Sequence, residues 1–130
     1  WGVDDRKWRL LVRDVVAADP ALADRVEAIG ALDGHRDRAA VEWTVTMREG
    51  RRWLERLSGD VRLLRYEQLV AEPRPAVSGV LSACGLAPDE TTLRYAERSL
   101  REKGHKPPCE LHPAVDDVFR ETMETMGYRR

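Results

Sequence analysis

The sequence predicts an α/β fold in which one buried strand, Val61–Arg65, lies among about six helices. The strand is predicted because its core is short, apolar and flanked by arginines, and because helical periodicity fits it poorly. The polar pair Tyr66-Glu67 follows it, and ligands of α/β sheets bind just beyond the carboxyl ends of strands. A single buried strand leaves backbone N–H and C=O groups unpaired. We therefore expect the rest of the parallel sheet to be missing from this chain and to lie on another polypeptide segment.

Helices are predicted on both sides of the strand, from apolar residues at helical spacing and from their end signals. Their predicted bounds are Trp1–Val16, Asp19-Pro20 to Gly34, Asp37–Leu57 with a possible break at Gly50, Pro73 to Gly85, Asp89 to Gly104, and Pro113–Met126. The residues expected to face inward are Trp8, Leu11, Val12, Val15, Val16, Leu22, Val26, Ile29, Leu32, Ala40, Trp43, Met47, Trp53, Leu54, Leu57, Val77, Val80, Leu81, Cys84, Leu93, Ala96, Leu100, Val115, Val118, Phe119 and Met126.

The composition excludes several classes of protein. The 130 residues suffice for one domain with a core, and 22 basic residues against 23 acidic ones give a net charge of −1. This balance argues against a nucleic-acid or membrane-surface binder, so any anion site must be local. Two cysteines, Cys84 and Cys109, are too few for a disulfide framework, which favours the cytoplasm. Since the chain begins at Trp1, we expect it to be a piece of a longer protein.

Several polar residues invite a site but have plainer interpretations. The histidines, His35, His105 and His112, lie in predicted loops without the spacing of metal ligands, so we expect no metal site. The arginines at 48, 51 and 52 alternate with Glu49 and Glu55, which is typical of a solvated helix face. Arg38 and Glu42 are one helical turn apart and are expected to pair.

Four stretches in order resemble the C-terminal portion of sulfotransferases that use 3′-phosphoadenosine-5′-phosphosulfate (PAPS). Arg65-Tyr66-Glu67-Gln68-Leu69, followed by Pro73, is similar to the family's strand, Tyr-Glu-Asp-Leu and Pro. The stretch 39–43 resembles its Trp-bearing helix, and 81–90 resembles its Phe-Leu-Gly-Leu step and acidic helix start. Met126-Gly127-Tyr128 resembles the Leu-Gly-Tyr ending of bacterial members. The sequence departs from the family at Gln68, where Asp is usual, and at Ala83-Cys84, where Phe-Leu is usual.

The resemblance implies a P-loop-type sulfotransferase fold, of which residues 1–130 would form one C-terminal segment. Residues 1–58 would be acceptor-side helices, and 59–130 would contain the strand, the nucleotide-side helices and the C-terminal helix. The family's Gly/Ser/Thr-rich phosphosulfate loop, its Arg and Ser pair for the 3′-phosphate and its catalytic base have no match here. The remaining half of the sulfotransferase domain would therefore be a partner that supplies catalysis, and this chain alone would be inactive, with no catalytic residue of its own.

The resemblance also implies five nucleotide-binding residues. Tyr66 would lie by the adenine, Arg101, Lys103 and Gly104 would grip the 3′-phosphate, and Ser99 would add a hydroxyl. The residues themselves leave alternatives open. The alternative for Tyr66 is a half-buried side chain whose hydroxyl forms a hydrogen bond to the backbone. The alternative for the basic residues and Gly104 is that they cap the C-terminal end of a helix.

The expected function is transfer of a sulfuryl group from PAPS, as co-substrate and without a metal, to a hydroxyl or amine of a small-molecule acceptor. One alternative is a non-enzymatic helical protein-interaction module that uses its apolar helix faces and four tryptophans to bind a partner. Another is a P-loop kinase-like fragment, which the Tyr-Glu-x-Leu pattern followed by Pro disfavours.

Overall fold

The computed structural model of this chain describes residues 4–57, 59, 61–102, 104 and 110–128, and they are predominantly helical. The elements in order are α1 (Arg6–Leu10), a π-helical turn (Leu11–Val16), a 3₁₀ turn (Ala23–Arg25), α2 (Val26–Gly30), α3 (His35–Arg56), α4 (Tyr66–Ala71), α5 (Pro73–Ala83), α6 (Glu90–Ser99) and α7 (Pro113–Thr125).

The predicted strand is wrong, and with it the α/β fold and its P-loop sulfotransferase form. The described residues form a helical fold without a strand or sheet: Val61 makes an isolated β-bridge, and residues 62–65 have no regular structure. Tyr66 then begins α4, a helix that the sequence did not predict. The physical reason is that a strand is stable only beside a neighbour. The apolar run was read as buried, yet Leu63 is 55% exposed.

The chain divides into two compact units. The first unit comprises Trp1–Ser58 and Pro108–Arg130, and the second unit comprises Gly59–Pro107. The first division follows Ser58, where the sequence also placed a boundary, but α7 belongs with the N-terminal helices. The second unit is therefore inserted, along the chain, between two parts of the first.

The first unit contains a continuous hydrophobic core. The α3 helix is its longest element, 22 residues that pass through Gly50 without a break, and α7 packs against it. The buried cluster consists of Trp8, Val12, Val16, Leu22, Ile29, Leu32, Ala40, Val41, Val45, Val115 and Val118. All of these except Val41 and Val45 were predicted to face inward. Two other predicted core residues, Val15 and Trp53, are 37% and 45% exposed.

Polar contacts fix the N-terminal elements of the first unit around this core. The Trp8 indole N–H donates to the Gly30 carbonyl over 3.3 Å, and the Arg38 guanidinium lies 5.1 Å from the Trp8 ring centroid. Arg38 also donates to the Leu32 carbonyl (2.6 Å) and pairs with Asp5 (2.9 Å). The expected pairing of Arg38 with Glu42 is thus replaced by contacts that are distant along the chain.

The second unit has little buried surface. Among its described residues only Leu93 and Ala96 are buried hydrophobics, and α4 and α5 contain no buried residue. Cys84 and Val80, both predicted to face a core, are exposed. The apolar faces of these short helices therefore remain open to solvent.

Two helix-end signals of the second unit were predicted correctly. The α5 helix ends at Ala83, and Gly85 follows its C-cap with a φ of 71° that favours glycine. The Leu86 N–H donates to the Leu81 carbonyl (2.9 Å). Asp89 caps α6, and its carboxylate accepts from the Thr92 N–H (2.8 Å). That helix ends at Ser99, however, five residues before the predicted Gly104.

No helix in the described part of the chain is long and apolar enough to cross a membrane.

Candidate functional site

Two of the predicted nucleotide-binding residues meet in the second unit. Tyr66 is the first residue of α4 and follows Arg65, whose backbone is extended (φ −84°, ψ 140°). Its hydroxyl donates a hydrogen bond of 3.1 Å to the carbonyl of Arg101, which lies 35 residues further along the chain. The Tyr66 side chain is 45% exposed, so its ring is accessible. The hydroxyl bond to backbone is the plainer alternative that the sequence had left open.

The Arg101 side chain caps the end of α6. Its Nη1 donates to the carbonyls of Glu97 (2.7 Å) and Leu100 (3.1 Å), two oxygens that the helix itself leaves without a partner. This is the capping alternative to a phosphate contact. An arginine carries five N–H donors. Nε and Nη2 form no hydrogen bond within the described part of the chain, so Arg101 retains donors for an anion.

The other predicted residues of this site are less defined. Ser99 is the last residue of α6 and is exposed. Gly104 is exposed, and a Cβ at its position would meet no described atom within 4 Å. Lys103 lies outside the described residues, as do His105 and Cys109.

A groove of about 440 Å³ lies beside residues 61–65 in the second unit. We call it the apolar groove, because Arg62 is the one charged residue among the described residues that line it. The lining residues are Gly59, Arg62, Leu63, Leu64, Gln68, Pro75, Ala76, Gly79, Val80, Ala83 and Cys84.

The first unit contains a buried carboxylate that the sequence did not reveal. Asp19 is 3% exposed and accepts from Arg48 Nε (3.0 Å), Arg52 Nη2 (3.2 Å) and the Ala21 N–H (2.9 Å). Burial alone would raise the pKa of Asp19, but the hydrogen bonds from Arg48 and Ala21 and the charges of Arg48 and Arg52 bring that pKa below its ordinary value. Asp19 was predicted to cap a helix, yet α2 begins only at Val26.

A second groove, of about 250 Å³, runs between α3 and α7. Its lining includes Arg48, Arg51 and Arg52 together with Glu55 and Glu121. Arg51 pairs with Glu55 (3.4 Å), in agreement with the solvated face that the sequence predicted. Asp19 binds the other two arginines, so the groove has no excess of positive charge for an anionic ligand.

The described histidines occupy helix starts. His35 is the first residue of α3, where the sequence predicted a loop, and His112 caps α7 by accepting the Ala114 N–H at Nδ1 (3.2 Å). Within the described residues, no group of three histidines, cysteines or carboxylates could hold a metal ion.

One functional signal was present in the sequence but was not used. Arg48 and Arg52 are spaced four residues apart on α3 and point to one carboxylate partner, which is Asp19.

Comparison of the chain with known protein families, curated proteins and solved structures gave no match.

Proposed function

We propose that this chain holds the 3′-phosphoadenosine end of PAPS during transfer of a sulfuryl group to a hydroxyl or amine of a small-molecule acceptor. The observation that supports this function is the convergence of Tyr66 and Arg101, two residues assigned to the nucleotide from sequence motifs far apart in the chain. The proposal concerns these side chains, and it does not require the strand that the sequence had predicted.

The chemistry of the two side chains suits this nucleotide. The half-exposed Tyr66 ring offers a flat face for adenine. The remaining guanidinium donors of Arg101, with the ammonium of Lys103, would form charge-assisted hydrogen bonds to the 3′-phosphate. The C-terminal end of a helix carries partial negative charge, so the two cations must outweigh it. Ser99 and Gly104 flank the same segment and would complete this binding site.

Sulfuryl transfer depends mainly on positioning and on charge stabilisation. We assign the positioning of the nucleotide to the second unit. Groups for the 5′-phosphosulfate and the catalytic base would come from another polypeptide segment, the remaining half of the enzyme. The reaction needs no disulfide-forming compartment, so we place it in the cytoplasm.

The direct test is titration of the chain with 3′-phosphoadenosine-5′-phosphate and, separately, with adenosine-5′-phosphate, followed by calorimetry. We expect tighter binding of the nucleotide that carries the 3′-phosphate. The double change Arg101→Ala and Lys103→Ala should reduce that preference about tenfold or more, or about 1.4 kcal/mol. Equal affinity for the two nucleotides would contradict the 3′-phosphate assignment.

Arg98→Ala provides the matched control. Arg98 is an exposed arginine of the same helix, and it lines a different surface groove with Glu90, Arg94 and Glu97. Its replacement should leave the preference unchanged, whereas a general effect of charge on nucleotide binding would reduce it as much as Arg101→Ala does. Circular dichroism of each variant separates loss of the α6 cap from loss of a ligand contact.

A non-enzymatic interaction module remains the second candidate, and the exposure of the second unit favours it. Leu63, Leu86 and Tyr95 are 55%, 57% and 65% exposed, which is unusual for large side chains of one small unit. A chain that folds well, binds a protein partner and gives no calorimetric signal with either nucleotide would support this candidate over the first.

A further inference from the structure

The groove between α3 and α7 contains hydrogen-bond donors that the folded chain leaves unused. Arg48 donates through Nε to the buried carboxylate of Asp19 (3.0 Å), which holds its guanidinium in place beside the groove. Its Nη1 and Nη2 form no hydrogen bond within the described part of the chain. Among the same residues, Arg51 is bound in a similar way, through Nε, to Glu55 (3.4 Å). Both guanidinium groups therefore offer N–H donors to an acceptor in the groove.

The opposite wall of the groove contains a carboxylate that has no partner among the described residues. Glu121 of α7 is exposed, and its side chain forms no ion pair or hydrogen bond with any residue that the structure describes. The other carboxylate of the described lining, Glu55, is already paired with Arg51. The groove thus offers N–H donors on its α3 side and a free negative charge on its α7 side.

The spacing of the two walls favours a ligand whose charges are close together. The helices α3 and α7 pack against each other, and the axes of packed helices are about 8–10 Å apart. Arginine and glutamate side chains that extend from two such helices into one groove bring their charged ends close together. In an α-amino acid the ammonium and the carboxylate are bonded to one carbon atom, so both can be bound across a short distance.

The size and the apolar part of the groove limit the ligand further. Its volume of about 250 Å³ lies below the range of about 300–1,000 Å³ that is typical of pockets for drug-sized molecules. Met47 and Met126, both half-buried, line the groove. Methionine side chains are flexible and adapt to aliphatic groups of irregular shape. The groove therefore suits a single small aliphatic molecule.

We propose that the groove between α3 and α7 binds a small aliphatic amino acid as its zwitterion, with the carboxylate on Arg48 and the ammonium on Glu121. A zwitterion carries no net charge, which agrees with a groove that has no excess of positive charge. The groove belongs to the first unit, whereas Tyr66 and Arg101 belong to the second, so this proposal stands or falls separately from the proposed function.

The first test compares leucine with two analogues that each lack one of its charges. Isopentylamine is leucine without the carboxylate, and isocaproate is leucine without the ammonium. Affinities are measured by ligand-observed NMR titration with the whole chain. We expect leucine to bind about tenfold or more tightly than either analogue. The proposal is overturned if leucine does not bind, or if either analogue binds as tightly as leucine does.

Glu121→Gln tests the ammonium contact. Because Glu121 has no partner among the described residues, its replacement should preserve the fold. The variant should bind leucine and isopentylamine about tenfold more weakly and isocaproate as the wild type does. Glu124→Gln is the matched control, since Glu124 is an exposed carboxylate of the same helix that lines a different pocket. Equal weakening by the two variants would show a general effect of charge and overturn the assignment of Glu121.

Arg48→Lys tests the carboxylate contact. Lysine keeps a positive charge beside Asp19 but lacks the paired N–H donors of the guanidinium. The variant should bind leucine and isocaproate more weakly and isopentylamine with unchanged affinity, which also shows that the groove is still folded. Full affinity for leucine in this variant would overturn the assignment of Arg48. The comparison of the three ligands on the wild type does not depend on the folding of this variant.

Discussion

The two units use different means to hold their helices. In the first unit, eleven buried hydrophobic residues form one cluster, whereas the described part of the second unit buries only Leu93 and Ala96. The second unit relies instead on helix caps and on surface ion pairs such as Arg74 with Glu90 (2.5 Å) and Glu97 (3.5 Å). Exposed ion pairs contribute little, so the second unit should be much the less stable alone. Helix content and fold stability are therefore separate properties within one chain.

The sequence provides a direct way to observe the units separately. All four tryptophans lie at positions 1–58, which belong to the first unit, and none lies in the second. Tryptophan fluorescence during urea unfolding thus reports on the first unit, and amide hydrogen exchange reports on the second.

The largest expected difference comes from one pair of leucines. Leu22 is fully buried, and Leu22→Ala should destabilise the first unit by about 3 kcal/mol through lost contacts and a cavity. Leu63 is 55% exposed, and Leu63→Ala should change stability by less than about 0.5 kcal/mol. Urea midpoints from tryptophan fluorescence measure the first value, and exchange in α4 and α5 measures the second. Similar losses at both positions would show that Leu63 is covered by a core.

The buried carboxylate should have the next largest effect. Asp19→Asn keeps the size of the side chain but removes the charge that Arg48 and Arg52 bind, and should cost about 2 kcal/mol. Asp117→Asn is the control, since Asp117 pairs with Arg25 (2.5 Å) on the exposed surface of the same unit and should cost about 0.5 kcal/mol. Equal losses of unfolding free energy in the two variants would mean that burial does not strengthen the contacts of Asp19.

Low pH should remove the stabilisation that Asp19 provides to the first unit. The pKa of Asp19 lies below its ordinary value in the folded protein, so the unfolded chain binds the proton more readily. The contribution is therefore complete above about pH 4 and is lost as the pH falls through the folded pKa. Urea unfolding from pH 7 to pH 2 measures this. The free energy of unfolding of the wild type should approach that of Asp19→Asn only below about pH 4. A constant gap between the two proteins would contradict the assignment.

Two glycines at helix ends compare the units at matched positions. Gly85 follows α5 with φ 71°, and Gly127 follows α7 with φ 75°. Alanine at either position should cost about 1 kcal/mol, because a Cβ disfavours this backbone region. Gly127→Ala should lower the tryptophan midpoint, whereas Gly85→Ala should speed exchange in α5 only. If Gly85→Ala also shifts the tryptophan midpoint, the two units unfold together.

The smallest effect is expected from removal of the second unit. Replacement of Gly59–Pro107 by a flexible Gly/Ser linker of about 12 residues keeps every residue of the buried cluster. The tryptophan-detected stability should then change by less than about 1 kcal/mol. A linker twice as long controls for strain. Loss of cooperative unfolding with both linkers would show that the first unit depends on the second.

The sequence predicted what is locally encoded. The Asp89 cap and the ends of α5 and α7 follow from single residues, and the periodicity of Trp8, Val12 and Val16 identified buried positions. It failed where a partner lies far along the chain. Val61–Arg65 was read as a strand although pairing depends on residues elsewhere, and Asp19 was read as a cap because its partners on α3 were not recognised.

The same distinction applies to the candidate site. The resemblance identified Tyr66 and Arg101, but periodicity and composition gave no sign that the hydroxyl of one bonds to the backbone of the other. Arg101 was open to two interpretations, and its contacts with Glu97 and Leu100 fit the capping one in the free chain. Its remaining donors are assigned to the proposed ligand, and local sequence signals do not encode a ligand.

The position of α7 has a consequence for synthesis on the ribosome. Val115 and Val118 complete the core against elements made early, and Asp37 binds the backbone of His112 across 75 residues. During translation, the inserted second unit emerges before α7 does. Until α7 has left the exit tunnel, the face of α3 that it covers stays open to chaperones and to aggregation. The first unit can therefore complete its folding only near the end of translation of this segment.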